Sequence, residues 1–505
     1  MTGACATLAN VTDVWLPPVG GGEPAPDLTA DELARLTGGR LVRRSPRPIR
    51  GAAVDSRAVA PGNLFVALPG EQTDGHRFVA EAAAAGAAAL IVMRGPDDPD
   101  ALGDVTIVRV ADALPALHAV AAAWRTRFAP LVVGVTGSIA KTSTKEAVAA
   151  VLARRFRTLR NEGNLNNEIG LPLTVLRMEA DHEAAVLEMG MYVGGEIADL
   201  ARIARPRIGV VTAVQGVHLS RIGSIDAIAD AKAELVEALP SDGTAILNAD
   251  DQRVRRMAER TAARAITYGF AADADVGADD VVSAGLDGMR FTLRTARGGR
   301  AVAIPTLGRL AVHNALAASA VGLAAGLTLD EISAGLADGW AAPHRTELVR
   351  LGRVTIVDDS YNASPGSVIA ALDLLAGLPG RRVAVLGEML ELGDEHDAGH
   401  REVGRAAAPT VDALVVVGGP EVAGIAAGAR EAGLDPARII EVADRDEAAE
   451  ELRARLRDGD VVLVKASRGI ALDLLVERLR AEVGPVAGGG PVGGGGPAAP
   501  GGSRR

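Results

Sequence analysis

A single cysteine, Cys5, in 505 residues has nothing to pair with inside the chain. No intramolecular disulfide can hold the fold, and a reducing, cytoplasmic setting is expected. Aromatic residues make up only 2% of the chain, so its cores must be built from Ala, Val, Leu and Ile. Long apolar runs are missing too. The longest Ala-rich stretch, Phe78 to Met93, is broken by Glu81 and Gly86, and falls short of the roughly 20 apolar residues a membrane helix needs. No basic segment followed by an apolar run opens the chain, so a secretion signal is not expected. Positive charge is in deficit, with 53 Lys and Arg against 64 Asp and Glu and a net charge of -11. Such a field repels polyanions, which excludes a general nucleic-acid or membrane-surface binder. Any anionic substrate must be met by local cations.

What is present is a 48% hydrophobic chain with mean hydropathy +0.18, enough to bury several cores. Residues 1–26 and the Gly/Pro-rich tail 484–505 lack periodicity and are expected to be flexible. Between them three blocks follow. Residues 27–110 alternate short helices with short strands such as "NLFVAL" and "AALIVM", a small α/β unit. Residues 111–310 open with an amphipathic helix and continue with the near-continuous apolar strands "LVVGVT", "AAVLEM" and "IGVVTAV", the pattern of parallel strands covered on both faces. Residues 311–483 repeat that logic in "RVTIVDD", "VAVLGE", "ALVVVGG" and "VVLVKAS". The expected fold class is therefore α/β, a smaller domain followed by two doubly wound, mainly parallel sheets.

The stretch "GVTGSIAKTSTKE" runs from an apolar strand through Gly137, Ser138 and Ala140 to Lys141, Thr142 and Ser143 at a helix start. That arrangement offers phosphate its backbone N–H groups, an ammonium and a hydroxyl able to ligate Mg²⁺. Ala140 stands where such loops carry glycine, so an ordinary strand-to-helix turn stays open as a reading. A methyl there is tolerable with right-handed backbone and costly with positive φ. Asn164, Asn166 and Asn167 lie in "GNLNNEIG", either a ligand-facing segment or an Asn-stabilised turn. Glu188 ends an apolar strand, where parallel sheets place ligands, and suits a Mg²⁺ shell with Thr142. A solvated strand-end charge is the plain alternative. Further on, His218 and Lys232 taken singly would pass for structural or solvent-facing groups.

Taken in order, these stretches resemble the Mur ligase family, over nearly all of 27–483. "DSRAVAPGNLFVALPGEQTDGHRF" is similar to its uridine-nucleotide-binding domain. "TGSIAKTSTKE", "GNLNNEIGLPLT", "EMGM", "GVHL" and "IADAKAEL" are similar to its central ATPase domain, and "HNALAA", "DDSYNASPGSV", "VLGEMLELG" and "KASRG" to its C-terminal domain. The "SYNASP" stretch points to the branch that adds D-alanyl-D-alanine to UDP-N-acetylmuramoyl-tripeptide. The resemblance implies ATP-driven ligation through an acyl phosphate, in a monomer without nucleic-acid or membrane partners. By position it gives Asp55, Ser56, Arg57, Asp74, Gly75 and His76 to the uridine nucleotide, and Asn164, Asn166 and Asn167 to the acceptor substrate. Lys141 falls on the transferring phosphoryl group, with Thr142 and Glu188 on one Mg²⁺ and His218 and a carbamylated Lys232 on a second. Asn314 falls on adenine, Arg345 and Asp359 on phosphate and ribose, and Asn362, Ser364 and Pro365 near the incoming dipeptide. Because these residues belong to different domains, the resemblance implies a site completed on domain closure. Leu310-Ala311 stands where a polar His-Asn pair is expected ahead of Asn314. A related ligase for another amino acid, and a nucleotide-binding subunit without turnover, remain the competing expectations.

Overall fold

Short runs of Val, Ile, Leu and Ala bounded by glycine or charge become strands, and these strands gather into three sheets. The structure, a computed structural model, describes residues 27–70, 73–95, 98–215 and 224–483. The tails expected to be flexible, and His218, lie outside the described residues. The chain divides into two compact units, Met1–Ala342 and Pro343–Arg505.

In the first unit, a five-stranded sheet has the order Arg40–Arg43, Thr106–Arg109, Ala89–Val92, Leu64–Val66, Ala52–Ala53, parallel except for its first strand. Leu64–Val66 and Ala89–Val92 are buried at every position, as strands covered on both faces must be. The helix Ala113–Arg125, started by the Asp112 side chain accepting from the Leu114 amide, buries Leu117, Val120 and Trp124 in one cluster with Leu64 and Ile91.

A nine-stranded sheet follows, with Leu131–Thr136 between Ile208–Val211 and Ala184–Glu188, and Thr158–Arg160 at the edge. These strands are parallel. The far edge is an antiparallel meander of Val276–Ser283, Met289–Thr295 and Gly298–Ile304, absent from the sequence reading because its outer positions are polar and exposed. The two helices that follow residue 310, the end expected for the central block, lie in the first unit, which runs to Ala342. Helices Arg309–Ala324 and Leu329–Ala337 place Leu316, Ala320, Ile332 and Leu336 in one core with Val133, Val148 and Val151. The alanines of the first of these helices keep it slim enough to lie close against Lys141–Leu152.

The second unit has one six-stranded sheet, ordered Glu347–Leu351, Val354–Asp358, Val461–Lys465, Arg382–Gly387, Ala413–Val417, Ile439–Val442, with only the first strand antiparallel. Among the described residues, no helix is long and apolar enough to cross a membrane.

Candidate active site

The strand Leu131–Thr136 is buried throughout and delivers the chain into the loop 137–140. Gly137 is required there: at φ +147° a Cβ would lie 1.9 Å from the Thr212 hydroxyl. Thr212 donates to the Ile139 carbonyl at 2.6 Å, and the Ser138 amide donates to Ala213 at 2.7 Å, so the loop is pinned to the neighbouring strand. Ser138 Oγ also accepts from the Gln215 amide at 2.9 Å. Helix Lys141–Leu152 then begins, leaving the amides of Lys141, Thr142 and Ser143 without intrahelical acceptors and facing the loop. Lys141 Nζ folds back onto the Gly137 carbonyl at 2.8 Å.

Ala140 caps this helix at φ 62° and ψ 5°, in the left-handed region. The costly of the two cases holds: an L-residue there is disfavoured by roughly 1–2 kcal/mol. Replacing Ala140 with glycine is expected to raise the stability of this unit by about 0.5 to 1 kcal/mol, since part of the strain relieved is offset by the greater freedom of an unfolded glycine. Denaturant unfolding followed by tryptophan fluorescence checks this, since Trp15, Trp124 and Trp340 all precede residue 343.

Thr142 donates its hydroxyl to Glu188 Oε2 at 2.8 Å, and Asn166 Nδ2 donates to Glu188 Oε1 at 2.7 Å. Glu188 and Thr142 are both buried. Asn166, Asn167 and Lys141 line a cavity of about 150 Å³ together with Gly190, Tyr192 and Glu196. Asn167 lies just ahead of the helix Gly170–Val175, its Oδ1 accepting from the Gly170 amide at 2.9 Å. Asn164 is exposed and does not line this cavity.

Lys232 lies in helix Ile225–Glu237, which opens on the Ser224 cap, and is only 3% exposed. Burial, reinforced by the Lys141 ammonium, pushes it down to about 7 from the usual 10.5. Asn314 is buried, with its Oδ1 accepting from Thr144 Oγ1 at 3.1 Å. His313 directly precedes Asn314 and reaches Asn248 Oδ1 at 3.1 Å and Asp250 at 3.3 Å. Leu310 is exposed and Ala311 belongs to the core. Desolvation pushes the Asp250 carboxyl up, but bonds from His313 and from the Phe270 and Ala271 amides outweigh it and hold the group below its usual value. Asn248, Asp250 and His313 were missed in the sequence, although "NADD" directly after an apolar strand carries the same strand-end signal as Glu188.

Around the first sheet, Asp55 caps the short turn Ser56–Ala58 and takes Arg57 Nη2 at 2.6 Å. That side-chain bond, with the Arg57 amide, lowers Asp55 to about 2. Ser56 is buried. Asp74 accepts from the His76 amide at 2.9 Å and contacts His76 Nδ1 at 2.7 Å, and these bonds lower it to about 2. Because His76 Nε2 accepts from the Met93 amide at 2.8 Å, Nδ1 is the nitrogen that donates to Asp74. Gly75 has no room for a side chain, since a Cβ would sit 2.8 Å from the Leu68 carbonyl. Two rigid acid-centred turns result.

In the second unit, Arg345 lies between His344 at φ 59° and Thr346 at φ 57°. His344 Nδ1 meets the buried Asp358 at 2.8 Å and the Thr346 amide donates to Asp359 at 3.1 Å, bonds that hold this uncommon backbone. The Arg345 guanidinium sits 4.0 Å from the Tyr361 ring centroid and has no carboxylate partner among the described residues. Asp359 is clamped by Lys465 Nζ at 2.6 Å, which also donates to the Asn362 carbonyl at 2.8 Å. The Asn362 side chain is exposed, and Ser364 with Pro365 starts the helix Pro365–Ala376. Lys465 was not singled out in the sequence, though a lysine ending the run "VVLVK" marks it.

Three family models match the chain: the catalytic domain of the Mur ligase family over residues 48–156, the Mur ligase middle domain over 135–322, and the Mur ligase, glutamate ligase domain over 344–468. The chain is 39% identical over 503 residues to UDP-N-acetylmuramoyl-tripeptide--D-alanyl-D-alanine ligase of Mycobacterium tuberculosis, covering 90% of this chain and 98% of that protein. It is 37% identical over 461 residues to the protein of that name from Escherichia coli, with the same two coverages. Among solved structures, MurF from Acinetobacter baumannii superposes with a TM-score of 0.81 at 31% identity, over 90% of this chain and 99% of that one. MurF ligase from Thermotoga maritima, in complex with ADP, gives 0.75 at 30% identity, over 86% and 98%.

Proposed function

The chain belongs to the Mur ligase family, and from that premise we propose that it joins D-alanyl-D-alanine to UDP-N-acetylmuramoyl-tripeptide in peptidoglycan precursor synthesis, converting ATP to ADP and phosphate. The observation that carries this reading is the buried corner where Thr142, Glu188 and Asn166 meet beside Lys141. It is joined to a likeness with such ligases over 90% of the chain.

A carboxylate is a poor electrophile. Transfer of the ATP γ-phosphoryl group to the tripeptide's terminal carboxylate gives an acyl phosphate, and the dipeptide amine attacks its carbonyl carbon, expelling phosphate. The two anions must first be brought together against their repulsion. Lys141 would offset the charge of the phosphates, and the N–H groups at the start of its helix, presented with Gly137, Ser138, Ala140 and Ser143, would donate to them. Thr142 Oγ1 and Glu188 Oε2, 2.8 Å apart, form an all-oxygen donor pair of the kind a hard divalent cation takes, and these residues would hold Mg²⁺. Bound there, Mg²⁺ supplies further positive charge to the phosphoryl oxygens.

Lys232 as a cation cannot ligate a metal. Its lowered value of about 7 keeps much of it neutral near neutral pH, so the amine nitrogen can add to CO₂ and lose a proton, becoming a carbamate anion. That carbamate and His218 would hold a second Mg²⁺. Asp55, Ser56, Arg57, Asp74, Gly75 and His76 would bind the uridine nucleotide, with Asn164, Asn166 and Asn167 on the acceptor peptide. Asn314, whose Oδ1 is engaged by Thr144, would present Nδ2 to adenine. Arg345 would meet phosphate, Asp359 ribose, and Asn362 with Ser364 the dipeptide.

Incubation with ATP, Mg²⁺, the UDP-linked tripeptide and D-alanyl-D-alanine should release ADP and a product whose mass equals the two substrates less water. ADP binding with no product would instead mark a nucleotide-binding subunit. Turnover only with another amino acid would mark a different branch of the family.

A further inference from the structure

The edge strand Thr158–Arg160 pairs Arg160 opposite Val186 and then stops, two residues short of Glu188. In a parallel ladder, the Glu188 N–H and C=O on that side would be left without a strand to bond. The side chain of Asn161 takes the place of that strand. Its Oδ1 accepts from the Glu188 amide at 2.9 Å, and its Nδ2 donates to the Glu188 carbonyl at 3.1 Å, the same donor and acceptor pair that a peptide group would offer. The second Nδ2 hydrogen goes to the Leu165 carbonyl at 2.8 Å. Asn161 is fully buried, so every polar group of its side chain is used.

With its backbone released from the sheet, the chain loops out through 162–165 and returns Asn166 over the Glu188 carboxylate at 2.7 Å. The Gly190 amide, donating to Asn166 O at 2.8 Å, closes that return. Behind Asn161, Lys145 of the loop helix is also fully buried and donates Nζ to the Asn161 carbonyl at 2.5 Å, while pairing with Glu146 at 2.8 Å. One residue thus ties together the helix that bears Thr142, the strand that bears Glu188 and the loop that bears Asn166.

We infer that Asn161, backed by Lys145, is a positioning residue that aims the Glu188 carboxylate at Thr142, its amide acting as a one-residue extension of the edge strand. The inference rests on the reading of Thr142 and Glu188 as a cation-holding pair.

Asn161→Leu keeps most of the volume and removes all three bonds, while Asn161→Asp keeps the acceptor and removes both donors. Mn²⁺ binding to the full chain with ADP, followed by the electron paramagnetic resonance signal of the free ion, is the primary readout. The Mg²⁺ concentration giving half-maximal turnover is the second. Asn161→Leu is expected to weaken Mn²⁺ binding roughly 10- to 100-fold, the range found when outer-shell partners of a metal site are lost, and to raise the Mg²⁺ requirement in parallel. Asn161→Asp should fall between it and the wild type, and answers the same question if the leucine variant does not fold. Leu293→Ala, a truncation in the buried part of the antiparallel meander, should lower stability and leave the Mn²⁺ affinity of the folded protein unchanged. Wild-type Mn²⁺ affinity in both Asn161 variants overturns the inference. Failure of the wild-type protein to bind Mn²⁺ with ADP overturns the cation pair itself.

Discussion

Replacing Lys232 with methionine is expected to cut turnover sharply and, at neutral pH, to make the first unit harder to unfold. The two effects have one origin. A lysine usually titrates at 10.5 and here does so at about 7, because its ammonium is buried and faces the Lys141 charge. Each pH unit in that gap is worth about 1.4 kcal/mol, so keeping the buried group charged costs roughly 5 kcal/mol as an upper estimate. Below pH 7 both folded and unfolded chains hold the proton and the full cost applies. Between about 7 and 10.5 the unfolded chain binds more protons, so wild-type stability rises with pH through this window. Above it the cost is gone.

Methionine of similar length carries no such charge. In CO₂-depleted buffer Lys232→Met should therefore raise the unfolding midpoint by several degrees at pH 6.5 to 7, and the advantage should vanish towards pH 10.5, with fluorescence from the buried Trp124 as the probe. Turnover should fall on the order of 10²- to 10³-fold, the scale on which a lost charge-stabilising group acts. Added bicarbonate should stimulate CO₂-depleted wild-type protein and leave the methionine variant unchanged. Wild-type turnover in Lys232→Met would remove the carbamate from the mechanism. A variant no more stable at pH 7 than the wild type would mean that the ammonium is not paying the desolvation cost of its burial.

Much of this site could be read in the sequence because its parts are local. The run "LVVGVT" is Leu131–Thr136, the loop follows it, and Lys141 starts a helix, since strand, turn and helix each announce themselves within a few residues. Glu188 was legible as a charge ending an apolar strand, and its partner Thr142 is 46 residues away in sequence yet 2.8 Å away in space. The conformation of Ala140 was not legible, because a left-handed alanine is held by what surrounds it, here Thr212 gripping Ile139 from the next strand. Asn161 escaped notice for a related reason. Nothing in "LRNEG" says that an asparagine side chain will substitute for a missing strand. That role exists only once the edge strand stops at Arg160 while its neighbour runs on to Glu188. Which core the helix Arg309–Ala324 joins was not legible either, because an Ala-rich helix looks alike whichever sheet it covers, and only its packing against Val148 and Val151 shows it.

Lys465→Met should be the most damaging single change in the second unit. Lys465 is 4% exposed, and its Nζ holds both Asp359 and the Asn362 carbonyl. Removing one partner of a buried ion pair costs about 3 to 5 kcal/mol, and since Asp359 keeps partial exposure the loss here should lie at or below the lower end of that range. None of the three tryptophans lies after residue 342, so fluorescence cannot report it. Hydrogen exchange in the strands Arg382–Gly387 and Val461–Lys465 can. The change should also reduce turnover, because the segment 359–362, which would carry the ribose and dipeptide contacts, loses its anchor. Asp359→Asn alone should likewise destabilise, now leaving the lysine charge unpaired, while keeping an acceptor for the Thr346 amide. Combined as Lys465→Met with Asp359→Asn, no buried charge is left unpaired, and most of the protection should return. Turnover should not return with it, since the anchor to the Asn362 carbonyl is still missing. A double variant as unstable as the sum of the two single ones would show that the pair is not coupled, and that Lys465 acts through packing of its aliphatic stem.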